Sequence, residues 1–84
     1  MNYGRQLLQQ KRNKEALEVF KLNAQKNQNQ FTAYMGLARG YSANGDYANA
    51  LKNAQLAQPL APAMQKDAVD KMIATLKEGK DINQ

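Results

Sequence analysis

The 84-residue chain carries 12 Lys and Arg against 7 Asp and Glu, a formal charge of +5, and contains neither histidine nor cysteine. Those absences exclude Ser-His-Asp and Cys-His nucleophiles, disulfides and zinc sites of the usual ligand set, so no enzyme activity, metal or cofactor is expected. The length suits one domain with a thin core, and no apolar run approaches the ~20 residues that cross a bilayer.

Met1 is followed by Asn2, Tyr3, Gly4 and Arg5 without the apolar segment of an export signal. Residues 2 to about 11 form a short amphipathic helix, with Tyr3, Leu7 and Leu8 at i, i+4 and i+5. Lys11-Arg12-Asn13 interrupts the pattern, and Asn13 is expected to cap a second helix through its side-chain oxygen. In that helix Ala16, Leu17, Phe20 and Ala24 recur at the helical period, and the polar run Lys26-Asn27-Gln28-Asn29-Gln30 ends it.

A third helix is expected from Phe31 to Ala43, with Tyr34, Leu37, Ala38 and Tyr41 inward and Arg39 and Ser42 elsewhere on the surface. Gly36 and Gly40 each cost about 1 kcal/mol relative to alanine in a helix interior, which points to close approach of a neighbouring helix, with loose local order as the alternative. Asn44-Gly45 is a strong stop, because Gly45 can take the left-handed conformation after the last helical turn. Asp46 then caps a fourth helix whose inward residues Tyr47, Ala50, Leu51, Ala54 and Ala57 are mostly small, as a tight antiparallel hairpin requires.

Pro59 ends that helix, and Leu60-Ala61-Pro62 reads as an extended connector. A fifth helix spans about Ala63 to Glu78, with Met64, Ala68, Met72, Ile73 and Leu76 as its apolar face and Gly79 as its stop. The tail 80–84 is polar apart from Ile82 and is read as flexible unless Ile82 docks. Basic residues gather in 1–30, whereas 63–84 balances four lysines with four carboxylates. The cations alternate with Gln, Asn and Glu as a solvated face does, so nucleic-acid binding ranks last among the functions considered. Asp67 and Asp70, flanked by Lys66 and Lys71, likewise read as a solvated face and not as a cation site.

Tyr34-x-x-Leu37-Ala38-x-x-Tyr41, Gly45-Asp46-Tyr47, Ala50 and Pro62 together resemble the tetratricopeptide repeat, a helical hairpin of about 34 residues. A shift of 34 places sets Gly4 under Ala38, Leu7 under Tyr41 and Ala16 under Ala50. The same shift sets Gly45-Asp46-Tyr47 over Gly79-Lys80-Asp81. The resemblance covers residues 1–79 and implies an all-α, right-handed array of two hairpins plus a C-terminal capping helix. Its units are a truncated first repeat (1–30), a second repeat (31–64) and the cap (65–79). Tyr34 stands where the family usually has tryptophan, and Ala54 where it has a large aromatic.

The runs Tyr3-Gly4-Arg5-Gln6-Leu7-Leu8, Lys14-Glu15-Ala16-Leu17-Glu18-Val19-Phe20 and Gly36-Leu37-Ala38-Arg39-Gly40-Tyr41-Ser42 are also similar to the C-terminal repeat region of larger exported bacterial proteins. That second resemblance implies a fragment with a periplasmic or exported home.

Family repeats bind partners in a concave groove lined by the first helix of each unit. By resemblance the groove positions include Arg5, Gln9, Met35, Arg39, Ser42, Ile73 and Lys77. Arg5 and Arg39 occupy equivalent places and could grip the carboxylates of an acidic peptide. The expected function is therefore a non-catalytic protein or peptide interaction module. The alternative is a structural or docking segment that self-associates as a homodimer through the edge of the short first helix. No membrane partner is expected.

Overall fold

The computed structural model describes residues 3–82, with side-chain placement from residue 6 onward. All regular structure among the described residues is helical: α1 (Tyr3–Gln9), α2 (Asn13–Lys26), α3 (Phe31–Ala43), α4 (Tyr47–Ala57) and α5 (Lys66–Lys77). Each helix packs on the next, and α1 also touches α3. Short connections after α1, α2 and α3 bring successive helices back antiparallel.

Three of the helices end in the same way. Lys11, Gly45 and Gly79 have φ of 63°, 79° and 72°. These positions recur at the interval by which the sequence itself repeats. In each turn the left-handed residue donates its N–H three residues back, Lys11 to Leu8 O, Gly45 to Ser42 O and Gly79 to Leu76 O, at 2.9–3.1 Å. The following residue donates five back, Arg12 to Leu7 O, Asp46 to Tyr41 O and Lys80 to Thr75 O, at 2.8–3.2 Å. This is the Schellman arrangement, which satisfies carbonyls that the helix end leaves without partners. Glycine was expected at the second and third of these turns. Lys11 makes the first despite its Cβ.

The core divides into two clusters with α3 between them. Leu7, Ala16 and Phe20 form one with Leu8, Val19 and Leu37 packed against them. Met35, Ala38, Ala50, Ala54, Ala57, Val69, Ile73 and Leu76 belong to the other. The close approach anticipated at the two glycines of α3 is present, and α2 makes it. A Cβ on Gly36 would lie 2.6 Å from Phe20 Cδ1, and one on Gly40 would lie 3.0 Å from Phe20 Cδ2 and 3.1 Å from Leu17 Cα. On the opposite side the buried alanines of α4 let that helix lie close as well.

Several local expectations are corrected. Asn13 does not cap α2: it is the first helical residue, and its side-chain amide donates to Ala43 O at 3.1 Å. Asn44 answers by donating from its amide to Asn13 O at 2.9 Å and Gly40 O at 2.8 Å. The carbonyls at the end of α3 need donors, and the paired asparagines supply them while tying α2 to α3. Asp46 does cap α4, accepting from Asn49 N–H at 3.3 Å.

Beyond α4, which stops before Pro59 as expected, Leu60 closes a 3-10 turn, Gln58–Leu60, where it was expected to open an extended connector. Only Ala61 and Pro62 are extended, and a second 3-10 turn, Ala63–Gln65, precedes α5. That turn removes Met64 from the apolar face of α5 and leaves it 96% exposed, and Ala68 is exposed too. Val69 takes the inward place, joined by Ile73 and Leu76.

Ser42 is corrected, and the docking of Ile82 left open for the tail occurs beside it. Ser42 is 1% exposed, donates to Asp81 Oδ1 at 2.8 Å and accepts from Ile82 N–H at 2.9 Å. Ile82 packs on the larger core cluster, so residues 81 and 82 are docked and not loose. A buried hydroxyl requires such partners, and the chain beyond Gly79 brings them.

Stability should respond to this geometry in two places. A left-handed backbone costs a non-glycine residue about 1–2 kcal/mol, so Lys11→Gly raises stability by about 1 kcal/mol, a rise in Tm of roughly 4–8 °C. Gly45→Ala lowers stability by a similar amount, and thermal unfolding followed by circular dichroism reads both. Gly36→Ala gains about 1 kcal/mol of helix propensity but overpacks against Phe20 at a cost of about 1–3 kcal/mol. It therefore lowers the urea midpoint in the native background and raises it in a Phe20→Val background, where the obstructing ring atom is gone.

Candidate binding face

Spacing along α3 sorts its residues by direction. Gly36, Leu37 and Gly40 meet α2, and Met35, Ala38 and Ser42 meet the elements on the other side. Thr32 and Arg39, two turns apart, lie between these two faces; Thr32 is exposed and Arg39 half-buried. This strip of α3 is the part of the expected groove left to solvent.

The expected groove residues fall into three groups. Met35 and Ile73, each 8% exposed, belong to the same core cluster, and Ser42 holds the C-terminal segment. Their side chains are committed to packing and internal hydrogen bonds, which narrows the ligand-facing set. Gln9 ends α1 and Lys77 ends α5, both exposed, whereas Arg39 is half-buried and engaged within the chain. The side chain of Arg5 lies outside the described residues.

Two concavities were not anticipated. A cavity of about 210 Å³ opens between the C-terminal half of α2 and the start of α3, lined by Phe20, Asn23, Asn27, Thr32, Ala33 and Gly36. The spacing of Phe20, Asn23 and Asn27 at i, i+3 and i+7 sets them on one side of α2, a signal present in the sequence. It is obscured there because Asn27 lies within the polar run that reads as a loop.

The second is a shallow cleft of about 480 Å³ at the turn between α1 and α2, lined by Lys11, Arg12, Asn13, Lys14, Glu15 and Asn44. One of its three cations, Arg12, is paired. Arg12 forms a two-point ion pair with Glu15, Nε to Oε1 at 3.0 Å and Nη2 to Oε2. This pair reduces the positive field expected from the basic first hairpin at that point.

Among the described residues no group of three His, Cys, Asp or Glu could hold a metal ion. None of their helices is long and apolar enough to cross a membrane. Comparison with protein-family models, with characterised proteins and with solved structures finds no match.

The internal role of Ser42 is open to a direct check. Ser42→Ala removes a hydroxyl and leaves the Ile82 N–H without its acceptor, at a cost of about 1–3 kcal/mol. The expected outcome is a lower urea midpoint together with faster amide exchange at Ile82. A purely ligand-facing serine would leave both unchanged.

Proposed function

We propose that this chain is a tetratricopeptide-like interaction module that binds an acidic peptide segment along the exposed strip of α3. The observation that carries the reading is the helix-ending turn repeated at positions 11, 45 and 79. A turn repeated at one interval supports equivalent positions along an array for the helices before it, α1, α3 and α5. Arrays of this kind present the equivalent helices as one extended surface.

Chemistry on that strip selects the peptide. Arg39 is half-buried and already engaged within the chain, so a peptide carboxylate would share or replace that contact on its planar guanidinium, and Lys77 adds a point charge from the last turn of α5. Gln9 supplies a neutral donor and acceptor at the end of α1. The excess positive charge of the chain favours encounter with an acidic segment. Met35, Ser42 and Ile73 support the strip from beneath by fixing α3 and α5 in place.

Selection from a random peptide display library, followed by titration of the recovered peptides, tests the proposal. Recovered peptides are expected to be rich in Asp and Glu, and Arg39→Ala to weaken them about tenfold, with Arg39→Lys intermediate because it keeps charge but loses the paired donors. Affinity should also fall as salt rises. Unfolding curves for each variant separate a binding loss from a folding loss. Recovery of peptides without acidic enrichment, or unchanged affinity in folded Arg39→Ala protein, overturns it.

A further inference from the structure

We propose that the cavity between α2 and α3 is a binding site for a primary carboxamide, of the kind a glutamine or asparagine side chain carries. The proposal stands on the cavity's own lining and does not depend on the acidic-peptide reading.

The lining determines what the cavity would take. None of its residues is charged: two asparagine amides and a threonine hydroxyl provide the polar groups, with Phe20, Ala33 and Gly36 completing the wall. A carboxylate or ammonium entering it would lose hydration without meeting an opposite charge. A wholly apolar group would leave the amides and hydroxyl without partners. A neutral group with both donors and acceptors meets neither penalty.

The hydrogen bonds already present sharpen this choice. Asn27 donates a side-chain amide N–H to Asn23 O at 3.1 Å, which occupies its NH2 group and leaves Oδ1 as the remaining acceptor of a residue that lines the cavity. An acceptor held in that way repels a carboxylate and suits the NH2 of a carboxamide. The Asn23 amide and Thr32 hydroxyl make no side-chain hydrogen bond among the described residues, so each can serve as donor or acceptor.

Size agrees with a single side chain. The cavity volume is about 210 Å³. One water occupies about 30 Å³ of the liquid, so the space is several times larger than a lone water needs. Pockets for larger molecules begin at about 300 Å³, which this one does not reach. The space also depends on the bare Cα of Gly36, since a side chain there would compete with Phe20 for the same volume. Thr32 joins the cavity to the solvent-facing strip of α3. A glutamine within a longer bound segment would therefore have a route into it.

The test is a titration of the isotope-labelled chain with N-acetylglutamine N-methylamide, read by amide chemical shifts. Its glutamate and norleucine counterparts, which share both end groups, serve as controls. Saturable shifts are expected at the Asn23 and Asn27 side-chain amides and at the Thr32, Ala33 and Gly36 backbone amides. The glutamate and norleucine probes should bind about three- to tenfold more weakly, and Asn23→Ala and Thr32→Val should each lose a similar factor for the glutamine probe. Both residues are exposed, and spectra unchanged elsewhere would verify that each variant remains folded. Arg39→Ala should leave the glutamine probe unaffected, which separates this site from the acidic-peptide strip. Shifts that fail to saturate, that map elsewhere, or that are matched by the glutamate probe overturn the assignment.

Discussion

The seating of the Phe20 ring against Gly36 and Gly40 is the contact on which the other helices depend. It joins the core cluster of α1 and α2 to α3, and α3 carries the second cluster on its other side. The two glycines weaken α3 as an isolated helix by roughly 2 kcal/mol against alanine, a sum that the buried aromatic must offset. Burying a phenylalanine contributes about 1.5–3 kcal/mol from area alone, with close packing adding to it. The balance is narrow, so α3 gains its order chiefly from the helices on either side.

The recurrent turn gives that packing its regularity. Each Schellman closure fixes where a helix stops and which way the chain leaves, so a constant interval between closures helps repeat the path of the backbone. Side chains across the three positions differ, from lysine to glycine, yet the φ angles and hydrogen bonds agree. The hydrogen-bonded geometry is therefore what recurs. A glycine makes it inexpensive, and Lys11 shows that the surrounding packing is strong enough to impose it on another residue.

Much of this was legible in the sequence because the relevant signals are local. Gly45, Gly79 and Asp46 specify turns and a cap through their own conformational preferences, and the spacing of Phe20, Leu37 and Ala38 reports helix faces directly. The misreadings share a different cause. Asn13 has two uses of nearly equal local merit, capping its own helix or donating across to Ala43, and only the position of α3 decides between them. Ser42 reads as a surface residue until the far end of the chain returns to bury it. The start of α5 shifted for a similar reason, since a proline-rich stretch can turn or extend with little local difference. The cavity was missed because its two walls come from separate helices, one of which ends in a run that looks like loop.

The fate of Met35, Ser42 and Ile73 shows how a helical domain this small uses its residues. In a longer stack, successive hairpins supply a core behind the equivalent helices, leaving more of their opposite faces for a ligand. Here α5 is the last helix among the described residues, and Val69, Ile73 and Leu76 share one core cluster with residues of α3 and α4. Residues at nominal groove positions therefore become core. The solvent-facing strip that remains is narrow, bounded by Thr32 at one end and Arg39 two turns later. Under the proposed function, a narrow strip would suit partners that contribute a few well-spaced polar groups over those that need a broad apolar surface, because the apolar side chains nearest it already have partners within the fold.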